Sequence, residues 1–210
     1  MRPRRRVKTV PPGGPQATRR ALARVADARA IVLVEGISDQ SALEALAERR
    51  GRNLDAEGIS IMPMGGAKNI RSFLEMFGPR GFDVRLAGLC DAGEESDFRR
   101  ALEWAGFRAE LSRAEMEALG FFVCVADLED ELIRSLDAAS AERVADAEGE
   151  LGSFRTLQKQ AAQQGRPVAQ QLRRFIGSRG GRKIRYARLL VDALDLTRVP
   201  RPLDGLLAHV

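Results

Sequence analysis

Residues 31–39 read IVLVEGISD. The run at 31–34 is wholly apolar and largely β-branched, the composition of a central strand buried on both faces of a parallel sheet. Glu35 stands at its end, with Gly36 next and Asp39 four residues after the first carboxylate. Ser38 or Asp39 can cap the helix predicted over SALEALAERR at 41–50. Glu35 then lies at the carboxyl end of the strand and Asp39 in the first helical turn. Both face the crevice where open α/β sheets bind ligands. Two carboxylates in one crevice repel unless a proton or cation sits between them, and oxygen ligands alone suit Mg²⁺ or Mn²⁺. Capping of the helix accounts for the same two residues without any metal, so the rest of the chain has to decide.

Three more strand–helix units follow. GISIMPM at 58–64 reads as a strand, then come Gly65 and Gly66, then a helix with Ile70, Phe73, Leu74 and Phe77 on one face. Two glycines between strand and helix let the backbone approach an anion such as phosphate, and Lys68 adds charge there; a plain turn explains the pair as well. FDVRLAGLC at 82–90 is the third strand and ends at Asp91. Glu94 and Glu95 open the next helix, where they suit the helix dipole. The fourth strand is expected at 121–125, followed by a helix whose first turn holds Asp127, Glu129, Asp130 and Glu131. The repeated order predicts right-handed crossovers and a four-stranded parallel sheet flanked by helices. Acids recur after strands one, three and four, which capping alone does not require. From 138 to 210 the pattern is helical. The expected division is a flexible basic arm at 1–15, an α/β domain at 16–137 that opens with a short helix at 16–28, and a basic helical extension at 138–210.

Composition narrows the chemistry. The chain of 210 residues is 44% hydrophobic and 30% charged, which fits a soluble globular protein. No apolar run approaches the ~20 residues that span a bilayer, and the basic stretch at 1–15 lacks the apolar segment of a signal peptide, so a cytoplasmic location and no membrane partner are expected. Cys90 and Cys124 sit in apolar runs and read as buried thiols, and the single histidine is His209. These counts argue against zinc sites of His and Cys, a Cys–His pair and a Ser–His–Asp triad.

The net charge of +5 is unevenly spread: residues 1–30 hold nine basic side chains and one acidic, and residues 83–150 hold seven and eighteen. Residues 151–188 hold ten basic side chains and no acid. Such a stretch suits a polyanion; it also suits a basic face that balances the acidic middle, within the fold or between subunits of a homodimer. On the first reading Lys68, Arg155, Lys159, Arg173, Arg174, Arg182 and Arg185 are the candidates for nucleic-acid contact.

VEGISD after the first strand, GG before the second helix and LCDAGEE after the third strand together resemble the TOPRIM domain shared by topoisomerases, bacterial primases and OLD (overcoming lysogenisation defect) family nucleases. DLEDEL downstream and GRK before a long helix make the OLD type the most similar. The resemblance covers residues 30–136 well and 137–210 loosely. It implies Glu35 as metal ligand or general base, Asp39 as the nearby acid and Asp91 as the first acid of a DxD pair. The second acid of that pair falls on Gly93. Glu94 or Glu95 could reach the same metal, or the site holds one ion rather than two. Glu129 or Glu131 would match a later acid and Lys183 a late lysine. The implied activity is that of a Mg²⁺- or Mn²⁺-dependent nuclease on DNA or RNA. Tyr186 is the only tyrosine and lies in the basic helix, which argues against topoisomerase chemistry. No GxxxxGK[ST] motif occurs, so ATP dependence would need a separate ATPase partner. A binding or regulatory module disabled at Gly93, and a phosphohydrolase for small phosphate compounds, are the competing readings.

Overall fold

A computed structural model describes residues 28–107 and 109–210. The arm expected at 1–15, and all but the last residue of the helix expected at 16–28, lie outside the described residues.

Four strands form one parallel sheet: β1 (Ala30–Val34), β2 (Ile59–Pro63), β3 (Arg85–Cys90) and β4 (Phe121–Val123), in the order β2-β1-β3-β4. Every residue of β1 is buried, as its apolar run demands of a strand with a neighbour on each side. Alternation splits the strands between two cores. Ala30, Val32, Val34, Ala87, Leu89 and Phe122 face one, and Ile31, Leu33, Leu86, Cys90, Phe121 and Val123 face the other.

The second core is closed by α2 (Ile70–Phe77), α3 (Glu95–Ala105) and the short α4 (Arg113–Ala118). In α2 the apolar stripe Ile70, Phe73, Leu74 and Phe77 is buried as its spacing predicts. The first core is closed by α1 (Ile37–Arg49), α5 (Leu128–Leu136), α6 (Ala138–Ala147), α7 (Leu151–Gln158), α8 (Val168–Ile176), α9 (Gly180–Ala193) and α10 (Arg201–His209). The helices after residue 137 therefore share with α1 and α5 the covering of one face of the sheet. Leu172, Phe175, Tyr186 and Leu190 share a core with Val32 and Leu89. Arg49 of α1 donates to the carbonyls of Val191 (2.6 Å) and Leu194 (2.7 Å) at the end of α9, which caps carbonyls that the helix itself leaves open.

Several boundaries differ from expectation for local reasons. The first helix begins at Ile37, with Gly36 as N-cap, rather than at residue 41. The third strand begins at Arg85 rather than Phe82, because residues 82–84 wrap the end of α2: Phe82, Asp83 and Val84 donate to the carbonyls of Met76, Gly78 and Phe77. The fourth strand stops at Val123, and the Val125 N–H goes instead to Glu131 Oε1 at 2.6 Å. No helix among the described residues is long and apolar enough to cross a membrane.

Candidate metal centre

Because the sheet is parallel, all four strands end on one edge. There β1 delivers Glu35 and β3 delivers Asp91, held together by the Asp91 N–H, which donates to Glu35 Oε1 at 3.0 Å. Beyond Asp91 the chain makes a 3₁₀ turn over Ala92–Glu94. This turn swings Glu94 back, so that carboxylate oxygens of Glu35, Asp91 and Glu94 lie within 4.8 Å of one another. Glu95 goes elsewhere, to Arg99 and Arg113. Of the two acids that could follow Asp91 into the site, the fold selects Glu94. Gly93 is exposed, and a Cβ there would meet nothing within 4 Å.

This trio is short of positive charge. Burial first, then the charges of Glu35, Asp39 and Asp127, push the Asp91 carboxyl up to about 8, against the opposing pull of Lys183. Glu35 is also raised, chiefly by burial and then by Glu94 and Asp39, although the Asp91 N–H and Lys183 oppose the shift. Anions crowded at partial burial attract a proton or a cation.

Asp39 and Glu129 make up the other side of the crevice with Asp127. Asp39, 8% exposed, is the third residue of α1, and its carboxylate accepts the Gly36 N–H at 2.8 Å. So Asp39 does serve as part of the helix cap, yet its pKa is raised, mainly by burial and also by Asp127. It lies outside the trio. Asp127 is the N-cap of α5, accepting from Asp130 N at 2.9 Å and pairing with Arg173 at 2.6 Å. Glu129, 3% exposed, pairs with Lys183 at 3.2 Å through one oxygen, while Oε1 has no partner among the described residues. Burial raises the Glu129 pKa. Burial opposes the charge of Lys183, but Glu129, Asp39 and Asp91 outweigh it and hold the ammonium above its ordinary range.

The remaining candidates divide. Glu131 is occupied by the Val125 N–H and by Arg134 (2.7 Å), which leaves Glu129, of the two glutamates of DLEDEL, as the one in the crevice beside Asp127. Lys68 is exposed beside the Gly65–Gly66 turn, whose residues have φ of 74° and 119°. The Gly66 N–H is taken by the Glu35 carbonyl at 3.0 Å, so the glycines there turn the chain and anchor β1. Arg182 was expected at a nucleic-acid surface but is buried at 8% exposure. It lies over the Phe175 ring at 3.9 Å and pairs with Glu150 at 3.1 Å. Arg155 and Arg185 are exposed but committed to Glu142 and Glu150. Lys159 and Arg174 are exposed with no acid partner among the described residues. Tyr186 is fully buried and donates to Glu150 at 2.9 Å, which removes it as a nucleophile. Cys90 and Cys124 are buried, and burial pushes both thiols up. Asp127 and Arg173 form a crevice pair that sequence reasoning did not assemble, since they lie far apart in the chain.

A divalent cation fits this donor set. Three carboxylates offer hard oxygen ligands at one point, and none is neutralised by a basic side chain at ion-pairing distance among the described residues. Residues 28–92 match the family model of the overcoming lysogenization defect protein-like TOPRIM domain. No curated protein sequence matches the chain. Among solved structures, the C-terminal region of the Xanthomonas campestris pv. campestris OLD protein is similar with a TM-score of 0.71 at 24% identity, over 89% of this chain and 94% of that one. The C-terminal region of the Burkholderia pseudomallei OLD protein gives 0.66 at 22% identity, over 87% and 96%. At these identities the likeness shows the fold, and the matched segment carries the family: residues 28–92 hold a TOPRIM domain of the OLD-like kind, with acids at its strand ends placed to bind a divalent metal.

Proposed function

We propose that the protein is a divalent-metal-dependent nuclease that hydrolyses phosphodiester bonds of DNA or RNA. The observation that carries this reading is the trio Glu35, Asp91 and Glu94, gathered without a counter-charge, beside a lysine that has one. Glu35, Asp91 and Glu94 would hold the ion, with Asp39 and Glu129 across the crevice. When bound, Mg²⁺ or Mn²⁺ supplies a Lewis acid for phosphoryl oxygens and lowers the pKa of water. Lys183 keeps its proton through its pairing with Glu129, so it offers a fixed positive charge where charge grows on a phosphoryl group. Arg173, on Asp127, brings a second.

A second reading, a nucleic-acid-binding module without catalysis, draws on Gly93, which removes the second acid of the DxD pair. Glu94 in the trio speaks against it, since an acid joins Glu35 and Asp91 from the next position. The test is a cleavage screen of single- and double-stranded DNA and RNA with Mg²⁺, Mn²⁺ or EDTA, on the wild type and Glu35→Gln. Cleavage that needs a metal and disappears in Glu35→Gln is the expected result. Binding without cleavage under both metals, equal in the two proteins, would establish the second reading.

A further inference from the structure

Ten basic residues occupy 151–188, and six of them are committed within the fold. Arg155 pairs with Glu142, Arg173 with Asp127, Arg182 with Glu150, Lys183 with Glu129, Arg185 with Glu150 and Arg188 with Glu48. The other four, Lys159, Arg166, Arg174 and Arg179, are all exposed, and none has an acidic partner among the described residues.

Their positions form a line. Arg174 lies in the last turn of α8, adjacent to Arg173, which reaches the crevice acid Asp127. Arg179 is the N-cap of α9, one helical turn before Lys183, whose backbone N–H donates to the Arg179 carbonyl at 3.1 Å. These two stand at the crevice end. Arg166 precedes Pro167, the N-cap of α8, and Lys159 is the C-cap of α7. The end of α7 is held against α8 by Gln158 Nε2 donating to Gln171 Oε1 at 2.7 Å. Arg166 thus stands just before α8 and Arg174 eight residues further on, about 12 Å along the helix or roughly three to four nucleotide steps, with Lys159 beside the middle of α8.

We infer that Lys159, Arg166, Arg174 and Arg179 form a phosphate track along α8, which guides one nucleic-acid strand from the acidic crevice outward. The inference rests on the proposed function for its polymer and goes beyond it in naming the path. The paired arginines are spent on internal acids and lie off the path. A lipid surface fits less well. Leu172, Phe175 and Ile176 of α8 are buried in the core, and Val168 alone is its exposed large apolar residue, which is too little apolar surface for insertion.

The experiment measures binding of labelled oligonucleotides by anisotropy in EDTA, where no cleavage is needed, across a salt series. The variant carries Lys159→Gln, Arg166→Gln, Arg174→Gln and Arg179→Gln; all four sites are exposed, and a thermal melt checks folding. The plot of log affinity against log salt should flatten by about three in slope, since each phosphate contact contributes ~0.7–0.9. Arg198→Gln, an exposed charge off the line, should change the slope by less than one. An unchanged slope in the fourfold variant overturns the track, even where the wild type cleaves. A flattened slope with no cleavage by the wild type keeps the track and removes the nuclease. Loss of binding to phosphatidylserine vesicles, with oligonucleotide binding intact, overturns the track in favour of a membrane surface.

Discussion

On one side of the crevice Glu35, Asp91 and Glu94 meet with no basic side chain at ion-pairing distance among the described residues; on the other, Asp127 is met by Arg173 and Glu129 by Lys183. Both sides are acidic and partly buried, and both belong to the same sheet edge. They differ in the origin of the counter-charge. The C-terminal helices carry it to the second side as ion pairs, whereas the first feels Lys183 only from beyond ion-pairing distance. A folded protein tolerates uncompensated carboxylates at a functional site when a ligand supplies what is missing. The first side is therefore read as the ion site and the second as the part that positions fixed positive charge.

Glu35→Gln probes the uncompensated side most severely. Cleavage should fall to background with either metal, as EDTA should make it fall in the wild type. Residual activity above a hundredth of wild type would mean that the trio is not the ion site.

The next effect concerns Glu94 and Gly93. Glu94→Gln should also bring cleavage close to background. If Glu94 only opened a helix, rates would change less than about twofold. An acid one position off its usual place holds an ion less well, and Mg²⁺ tolerates imperfect geometry poorly, while Mn²⁺ stands in a family of metals bound by ligand type and availability. We expect faster cleavage with Mn²⁺ than with Mg²⁺. Gly93→Asp, which has room for its side chain, should narrow that ratio.

On the compensated side, Lys183→Met should lower both cleavage and stability. It strands a buried Glu129 carboxylate, at a cost of about 2 kcal/mol once the partial exposure of Lys183 is discounted. Adding Glu129→Gln should restore the melting temperature but not the cleavage. Recovery of both would reduce the pair to a structural role.

The smallest effect is in pH. A carboxyl raised from about 4 in the unfolded chain to about 8 in the fold keeps its proton longer in the native state. Stability from this group is full below pH ~4 and is lost as pH rises toward 8. In EDTA the melting temperature should drop by a few degrees over that window. Asp91→Asn should flatten the curve, and a saturating divalent ion should lift its alkaline end. A metal-free stability that rises from pH 5 to 8 would contradict the burial argument for Asp91.

Much of this site is legible in sequence. The all-apolar β1 run and the periodic stripe of α2 announce their elements locally, and strand ends in a parallel sheet share an edge. The positions of Glu35, Asp39 and Asp91 follow from those facts. The short helix α4 had a readable signal that the strand–helix pattern overshadowed: Ser112 and Glu115, spaced as a capping box, each accept the other's backbone N–H. Harder cases were pairs of near-identical residues. Glu94 and Glu95 differ by one position, and Arg99 from the same helix with Arg113 from another draw Glu95 away. Glu129 and Glu131 lie on one helical turn, yet one meets Lys183 and the other Arg134.

The basic stretch shows where the sequence ended and the tertiary structure began. Composition alone determined that residues 151–188 carry ten positive charges and no acid, and periodicity alone determined that they fold as amphipathic helices. Which of those charges are free was decided by Glu48, Asp127, Glu129, Glu142 and Glu150, brought in from other elements. Helical and strand periodicity are local properties of the backbone and can be read in a window of a few residues. Ion pairing and burial depend on distances through space, and these exist only once the sheet has gathered its strand ends and the last helices have closed over its face.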